Sequence, residues 1–167
     1  MQNLNLALFS AINAGHAPQP GVARVAIFAA DWLVYALPAM LLLTWIFGAR
    51  PTRRQAIEAG VGAQLIPHAP DSSFPSDHMT FAWSMALGLM LGGTTRLTGF
   101  VMAAMAVAIA WGRVYAGVHW PFDMAGGVLV GTAGALAAHL YGQRVTALLE
   151  RFGDSMHAAV MGRRHAP

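Results

Sequence analysis

An all-α integral membrane protein is the fold class this sequence predicts, on three observations. The chain has 167 residues, 56% of them hydrophobic and only 10% charged, with a mean hydropathy of +0.51. Charged residues make up about a quarter of an ordinary soluble domain, so this chain has too few to coat a water-facing surface. The apolar residues fall in long blocks instead of narrow stripes, which is the pattern of segments solvated by lipid. Two short polar clusters, Phe74-Pro75-Ser76-Asp77-His78 and Gly112 to Asp123, each sit at the end of such a block.

Residues 2–14 read as a short interfacial helix, with Leu4, Leu8, Phe9 and Ile12 on one face. They lack a basic leading region, so no cleavable signal is expected. Four spans follow: Val25 to Phe47, His78 to Gly92, Leu97 to Val118 and Phe122 to Tyr141. The first is broken only by Asp31 and Pro38, and Asp31 is an acid at membrane depth that marks either a functional group or the outer end of the helix. The last is rich in Gly and Ala, which lets helix backbones approach closely. In the tail, Val145, Leu148, Leu149, Phe152 and Met156 share a face and predict an amphipathic helix on the membrane surface. With no internal repeat and no linker, residues 1–167 read as one membrane-embedded domain.

All ten basic residues are arginines and there is no cysteine, which excludes disulfides and thiolate metal sites. The arginines cluster at segment ends and form no basic face, so no nucleic-acid partner is expected. Arg50, Arg53 and Arg54 follow the first span, Arg96 lies between the second and third, and Arg144, Arg151, Arg163 and Arg164 follow the last. Short basic loops stay in the cytoplasm. Loops 48–54 and 93–97 and the C-terminus are therefore expected inside, and both polar clusters outside, on one common face. The chain must then cross between Arg54 and Phe74, where Gln55 to Ile66 supplies a dozen residues. A helix of that length covers ~18 Å of a ~30 Å hydrocarbon core.

The clusters hold groups suited to phosphoryl chemistry. His119 supplies a neutral imidazole as nucleophile. Asp123, in the first turn of a helix opened by Pro121, can fix its tautomer and stabilise its cation. Arg113 matches phosphate oxygens with a planar fork; its plain alternative is a salt bridge to Asp77 or Asp123. Ser76 reads as an N-cap whose following amides would cradle an anion. His78 is the candidate acid for the leaving group, and Asp77 orients either Arg113 or His78. A metal site from His68, Asp71, His78 and Asp123 fits no usual ligand spacing, so no metal or other cofactor is expected. His16, His139, His157 and His165 read as solvated or interfacial.

Pro75-Ser76-Asp77-His78 and Arg113, His119 and Asp123 at their mutual spacing resemble two motifs of the type 2 phosphatidic acid phosphatase (PAP2) superfamily of membrane phosphatases. The likeness is to its bacterial undecaprenyl pyrophosphate phosphatases of the BcrC type and runs from about Phe28 to Gln143. Gly112 stands where the family has serine. The family's first motif needs a lysine ahead of an Arg-Pro pair; no lysine is present and Arg50-Pro51 is the only such pair, which makes Arg50 the remaining candidate for phosphate binding. The resemblance implies a PAP2-like bundle in the bacterial cytoplasmic membrane. It also implies hydrolysis of a polyprenyl pyrophosphate lipid at the outer face through a phosphorylated His119, as in carrier recycling for cell-wall synthesis. Three alternatives stay open: another lipid phosphate such as phosphatidate, a non-catalytic member of the family, and an ion pathway through Asp31, His78 and Asp123.

Overall fold

The computed structural model describes residues 1–15, 17–64 and 74–162. All regular structure among them is helical: α1 Gln2–Ile12, α2 Pro20–Ile27, a π-helical segment Phe28–Trp32, α3 Leu33–Phe47, α4 Arg50–Gln64, α5 Asp77–Leu91, α6 Arg96–Tyr115, α7 Pro121–Tyr141 and α8 Gln143–Gly162. From Pro20 to Phe47 the chain is one continuous helix of 28 residues. Proline opens both α2 and α7, where its missing N–H would have had no intrahelical partner.

Among the described residues, three helices are long and apolar enough to cross a membrane: Pro20–Phe47, Arg96–Tyr115 and Pro121–Tyr141. The fourth expected span, α5, has 15 residues, roughly 22 Å at ~1.5 Å per residue. Its short run is offset by its position. α5 packs against α4, α6 and α7, and after Asp77 none of its residues is exposed. The core forms around it, with Met79, Ala82, Met85, Ala86 and Leu89 meeting Met102, Ala106 and Ile109 of α6, Ala59 of α4 and Met124 of α7. Small residues bring α7 against α5. A Cβ on Gly127 would lie 2.9 Å from the Ser76 carbonyl, and one on Gly131 would lie 2.7 Å from that of Thr80. Trp83 Nε1–H donates to Thr132 Oγ1 across the same seam at 2.9 Å.

One expectation about a connection needs correction. The segment expected as loop 48–54 is already helix from Arg50, and the helix it opens is 15 residues long instead of a dozen. The arginines there tolerate a helical backbone because α8 supplies their counter-charges, as described below. Helix α1 forms where a short N-terminal helix was expected. Leu4 is 58% exposed and Leu6 56%, whereas Asn5, Phe9 and Ile12 are turned inward. A helix between protein and lipid leaves leucines toward the lipid at little cost and turns hydrogen-bonding groups toward the protein.

The tail forms α8, which packs against α4. Val145, Leu149, Phe152 and Met156 turn toward α3 and α4 and, with Pro38, Leu41 and Trp45, line an apolar cleft of about 790 Å³. His157, expected to be solvated or interfacial, donates from Nε2 to the Ile46 carbonyl at 3.0 Å and meets the Trp45 ring edge-on.

Candidate active site

One end of the bundle gathers the start of α5, the end of α6 and the start of α7. Ser76 is the N-cap of α5, fully buried, with Oγ accepting from Met79 N–H at 3.4 Å. Its own N–H donates to the Asp123 carbonyl at 3.0 Å, so a backbone bond ties the two polar clusters together. α6 ends in a tight reversal in which Val118 N–H donates to the Arg113 carbonyl at 3.0 Å. Gly117 sits in this turn at φ 76°, a left-handed conformation that glycine adopts without steric cost. The reversal carries His119 back over Arg113.

His119 and Asp123 side chains are each 8% exposed. His119 Nδ1 faces Asp123 Oδ2 at 3.4 Å, and the same oxygen accepts from Trp120 N–H at 3.0 Å. On the other side of the ring, Arg113 Nη2 lies 3.3 Å from Nε2. A guanidinium only donates, so Nε2 must offer its lone pair, and the ring proton belongs on Nδ1, toward Asp123. Burial first, and then the Arg113 charge, push the His119 pKa below the ordinary imidazole value, against the opposing pull of Asp123. The ring is therefore neutral near pH 7, with Nε2 unprotonated. Its contacts are long, as is usual before a substrate tightens a site.

Arg113 Nη1 donates to the Ala30 carbonyl at 3.2 Å, and its buried Nε has no partner among the described residues. Among these residues Arg113 makes no salt bridge to Asp77 or Asp123. Asp77 instead engages His78: Oδ1 accepts from His78 N–H at 2.7 Å and lies 2.7 Å from His78 Nδ1. The Asp77 pairing leaves His78 Nε2 as the ring's outward-facing position.

The sequence profile of the PAP2 superfamily matches residues 23–147. The chain belongs to this superfamily. YbjG of Escherichia coli (strain K12), whose name makes it a candidate undecaprenyl-diphosphatase, is 35% identical over 170 aligned positions that cover 86% of this chain and 85% of YbjG. Undecaprenyl-diphosphatase BcrC of Bacillus subtilis (strain 168) is 24% identical over 153 positions, covering 76% of this chain and 78% of BcrC. The crystal structure of Aquifex aeolicus LpxE shares the fold with a TM-score of 0.57 at 22% identity, covering 83% of this chain and 96% of LpxE. The YbjG alignment has more positions than this chain has residues, yet it uses only part of the chain. YbjG therefore carries internal residues with no counterpart here.

Within this PAP2 member the structure brings Ser76, Asp77, His78, Arg113, His119 and Asp123 to one end of the bundle, and Asp31 contributes to the field at Arg113. His68 and Asp71 lie outside the described residues. Arg50 does not join them. It opens α4 at the opposite end, where Nε lies 3.2 Å from Asp154 Oδ2 and 3.6 Å from Glu150 Oε1. Arg50 is spent on anchoring α8. The expected amide cradle at the start of α5 is also partly filled, because His78 N–H donates to Asp77 and Met79 N–H to Ser76. Gly112, the departure from the family serine, has a steric reason: a Cβ there would lie 2.5 Å from the Ala26 carbonyl and 2.9 Å from Ala30 N. Sequence reasoning missed the Ala30 carbonyl and the asparagines of α1. A carbonyl has no residue-type signature, but the π segment that presents it is a feature often found at functional sites.

Proposed function

We propose that this chain is a lipid pyrophosphate phosphatase that converts a polyprenyl pyrophosphate to the monophosphate and inorganic phosphate. The names of the relatives supply the substrate class, and the neutral His119 ring held between Arg113 and Asp123 carries the chemistry. His119 Nε2 attacks the terminal phosphorus, and the bond from that phosphorus to the bridging oxygen breaks. His78 gives its proton to the departing lipid monophosphate. Asp123 stabilises the imidazolium as Nε2 becomes phosphorylated. Arg113, through its fork and its unpartnered Nε, holds non-bridging oxygens where charge shifts in the transition state. A water then attacks the phospho-histidine, giving a proton back to His78 and releasing inorganic phosphate.

Because the arginines gather at the far end, this reading puts the site at the outer face of the bacterial cytoplasmic membrane and the C-terminus inside. The lipid tail then never leaves the bilayer. Purified protein in detergent is given undecaprenyl pyrophosphate and released phosphate is measured. Turnover that falls by about 10⁴-fold in His119→Ala, with an acid-labile phospho-histidine trapped in the unmodified protein, supports the reading; turnover that survives the substitution overturns it.

A second reading, a lipid-binding protein without turnover, is favoured by the residues YbjG carries and this chain lacks, together with the absence of any lysine. The same assay decides between them.

A further inference from the structure

Helix α1 turns Asn5, Phe9 and Ile12 inward, and Asn13 caps its end. A spacing of four places Asn5, Phe9 and Asn13 on one side of the helix. Each meets the turn that carries His119. Asn13 Nδ2 donates to the Tyr115 carbonyl at 3.1 Å and to the Val114 carbonyl at 3.3 Å, and Ala14 N–H adds a bond to Tyr115 at 3.1 Å. Both are last-turn carbonyls of α6; that of Val114 also accepts from Gly117 N–H at 3.1 Å. Phe9 lies on the Trp120 ring at 4.4 Å between centroids. Asn5 Oδ1 accepts from Phe122 N–H at 3.1 Å, a donor in the first turn of α7 that has no intrahelical partner. A Cβ on Gly117 would come within 3.1 Å of Asn13 Nδ2, so the turn and the helix are already in close contact.

We infer that α1 is a brace for the nucleophile loop, and that Asn5, Phe9 and Asn13 are positioning residues for His119. The loop is held before it, on it and after it, by three contacts from one helix face. The inference rests on the proposed hydrolysis for its kinetic consequence, and on the contacts alone for its structural one. A misplacement of ~1 Å at a reacting group costs about 10²-fold in rate, and the His119 contacts, at 3.3 and 3.4 Å, leave the ring dependent on its backbone for aim. If α1 only anchored the chain in the membrane, these three residues would have no reason to face the loop while Leu4 and Leu6 face outward.

The two asparagines act with opposite polarity, which gives the test its shape. Asn5 is an acceptor and Asn13 a donor. Asn5→Leu and Asn13→Leu should each lower kcat about tenfold with KM within about twofold, at an unchanged thermal unfolding temperature. Asn5→Asp keeps the acceptor and should stay within about threefold of the unmodified protein. Asn13→Asp turns a carboxylate on two carbonyls and should stay as low as Asn13→Leu. Equal behaviour of Asp and Leu variants at both positions, or unchanged kcat in all four, overturns the brace.

A second measurement does not depend on turnover. Carbethoxylation of His119 by diethyl pyrocarbonate, located by peptide mass spectrometry, should be at least threefold faster in both Leu variants, because the loop no longer holds the ring in place. An unchanged rate also overturns the brace. Absent turnover in the unmodified protein with faster labelling in the variants would remove the proposed activity and leave the brace standing.

Discussion

Helix α7 meets a histidine–carboxylate pair at each end, and the two are built differently. At its start, His119 and Asp123 stand 3.4 Å apart, both buried, with an arginine on the far side of the ring. Toward its other end, His139 Nδ1 and Glu58 Oε1 of α4 stand 2.6 Å apart, with the His139 side chain 43% exposed. Around the second pair the charges consume one another. Arg53 donates to Asp154 at 2.8 Å, Arg54 lies 3.9 Å from Glu150 and also bonds Gln143, and Arg50 reaches both acids. The Arg53 bond is the leading cause that holds the Asp154 carboxyl below the usual carboxylate range. Around the first pair the contacts are longer: the Nε2 lone pair meets Arg113 Nη2 at 3.3 Å, and Arg113 Nε has no partner among the described residues. The same residue types thus make short ion pairs between helices at one end and longer, more buried contacts at the other, with a buried arginine Nε unpartnered among the described residues in each.

This contrast is breakable in order of effect. The largest difference is expected from matched removal of the two histidines: His119→Ala loses about 10⁴-fold in phosphate release, whereas His139→Gln stays within about twofold. Comparable losses from both would erase the distinction. Next, Asp123→Asn is expected to cost about 10³-fold in kcat. It should also move the acid limb of kcat/KM to lower pH. That limb is expected below the ordinary histidine value of about 6.5, because burial and then Arg113 depress the His119 pKa. Removing the anion that raises that pKa depresses it further, so an upward shift would contradict the assigned tautomer. At the far end, Arg53→Ala should lower the thermal unfolding temperature by roughly 2–4 °C and leave kcat unchanged, an effect that weakens in high salt. The smallest expected change is in Arg50→Ala, with phosphate release within about twofold. A large rise in KM there would return Arg50 to the substrate.

The long helices were legible because lipid-facing and bundle-facing residues are both apolar, so composition alone marked α6 and α7 to within three residues at each end. Ser76 as N-cap was legible because its chemistry is local. What was not legible depends on partners distant in sequence. The reading of 48–54 as a loop failed because the acids that neutralise its arginines lie about a hundred positions on, in α8. His139 was read as solvated or interfacial, and its partner was not foreseen because nothing near it in sequence announces Glu58. The one-sided grouping of Leu4, Leu8, Phe9 and Ile12 in α1 gave no place to its asparagines, which turn to the protein side because a buried unpaired amide costs more than an exposed leucine.

The π-helical stretch Phe28–Trp32 has a consequence for how this helix tolerates change. Its closing bond, from Leu33 N–H to the Phe28 carbonyl, spans five residues instead of four, so the stretch accommodates one residue more than a regular turn. Ala30, within it, supplies the carbonyl that tethers Arg113, and Ala26 and Ala30 are the backbone that Gly112 lies against. Excising a single alanine here would leave a perfectly good apolar helix by every measure of composition. It would also rotate everything upstream by about 100°, and the cation would lose its mooring without any polar residue having been touched.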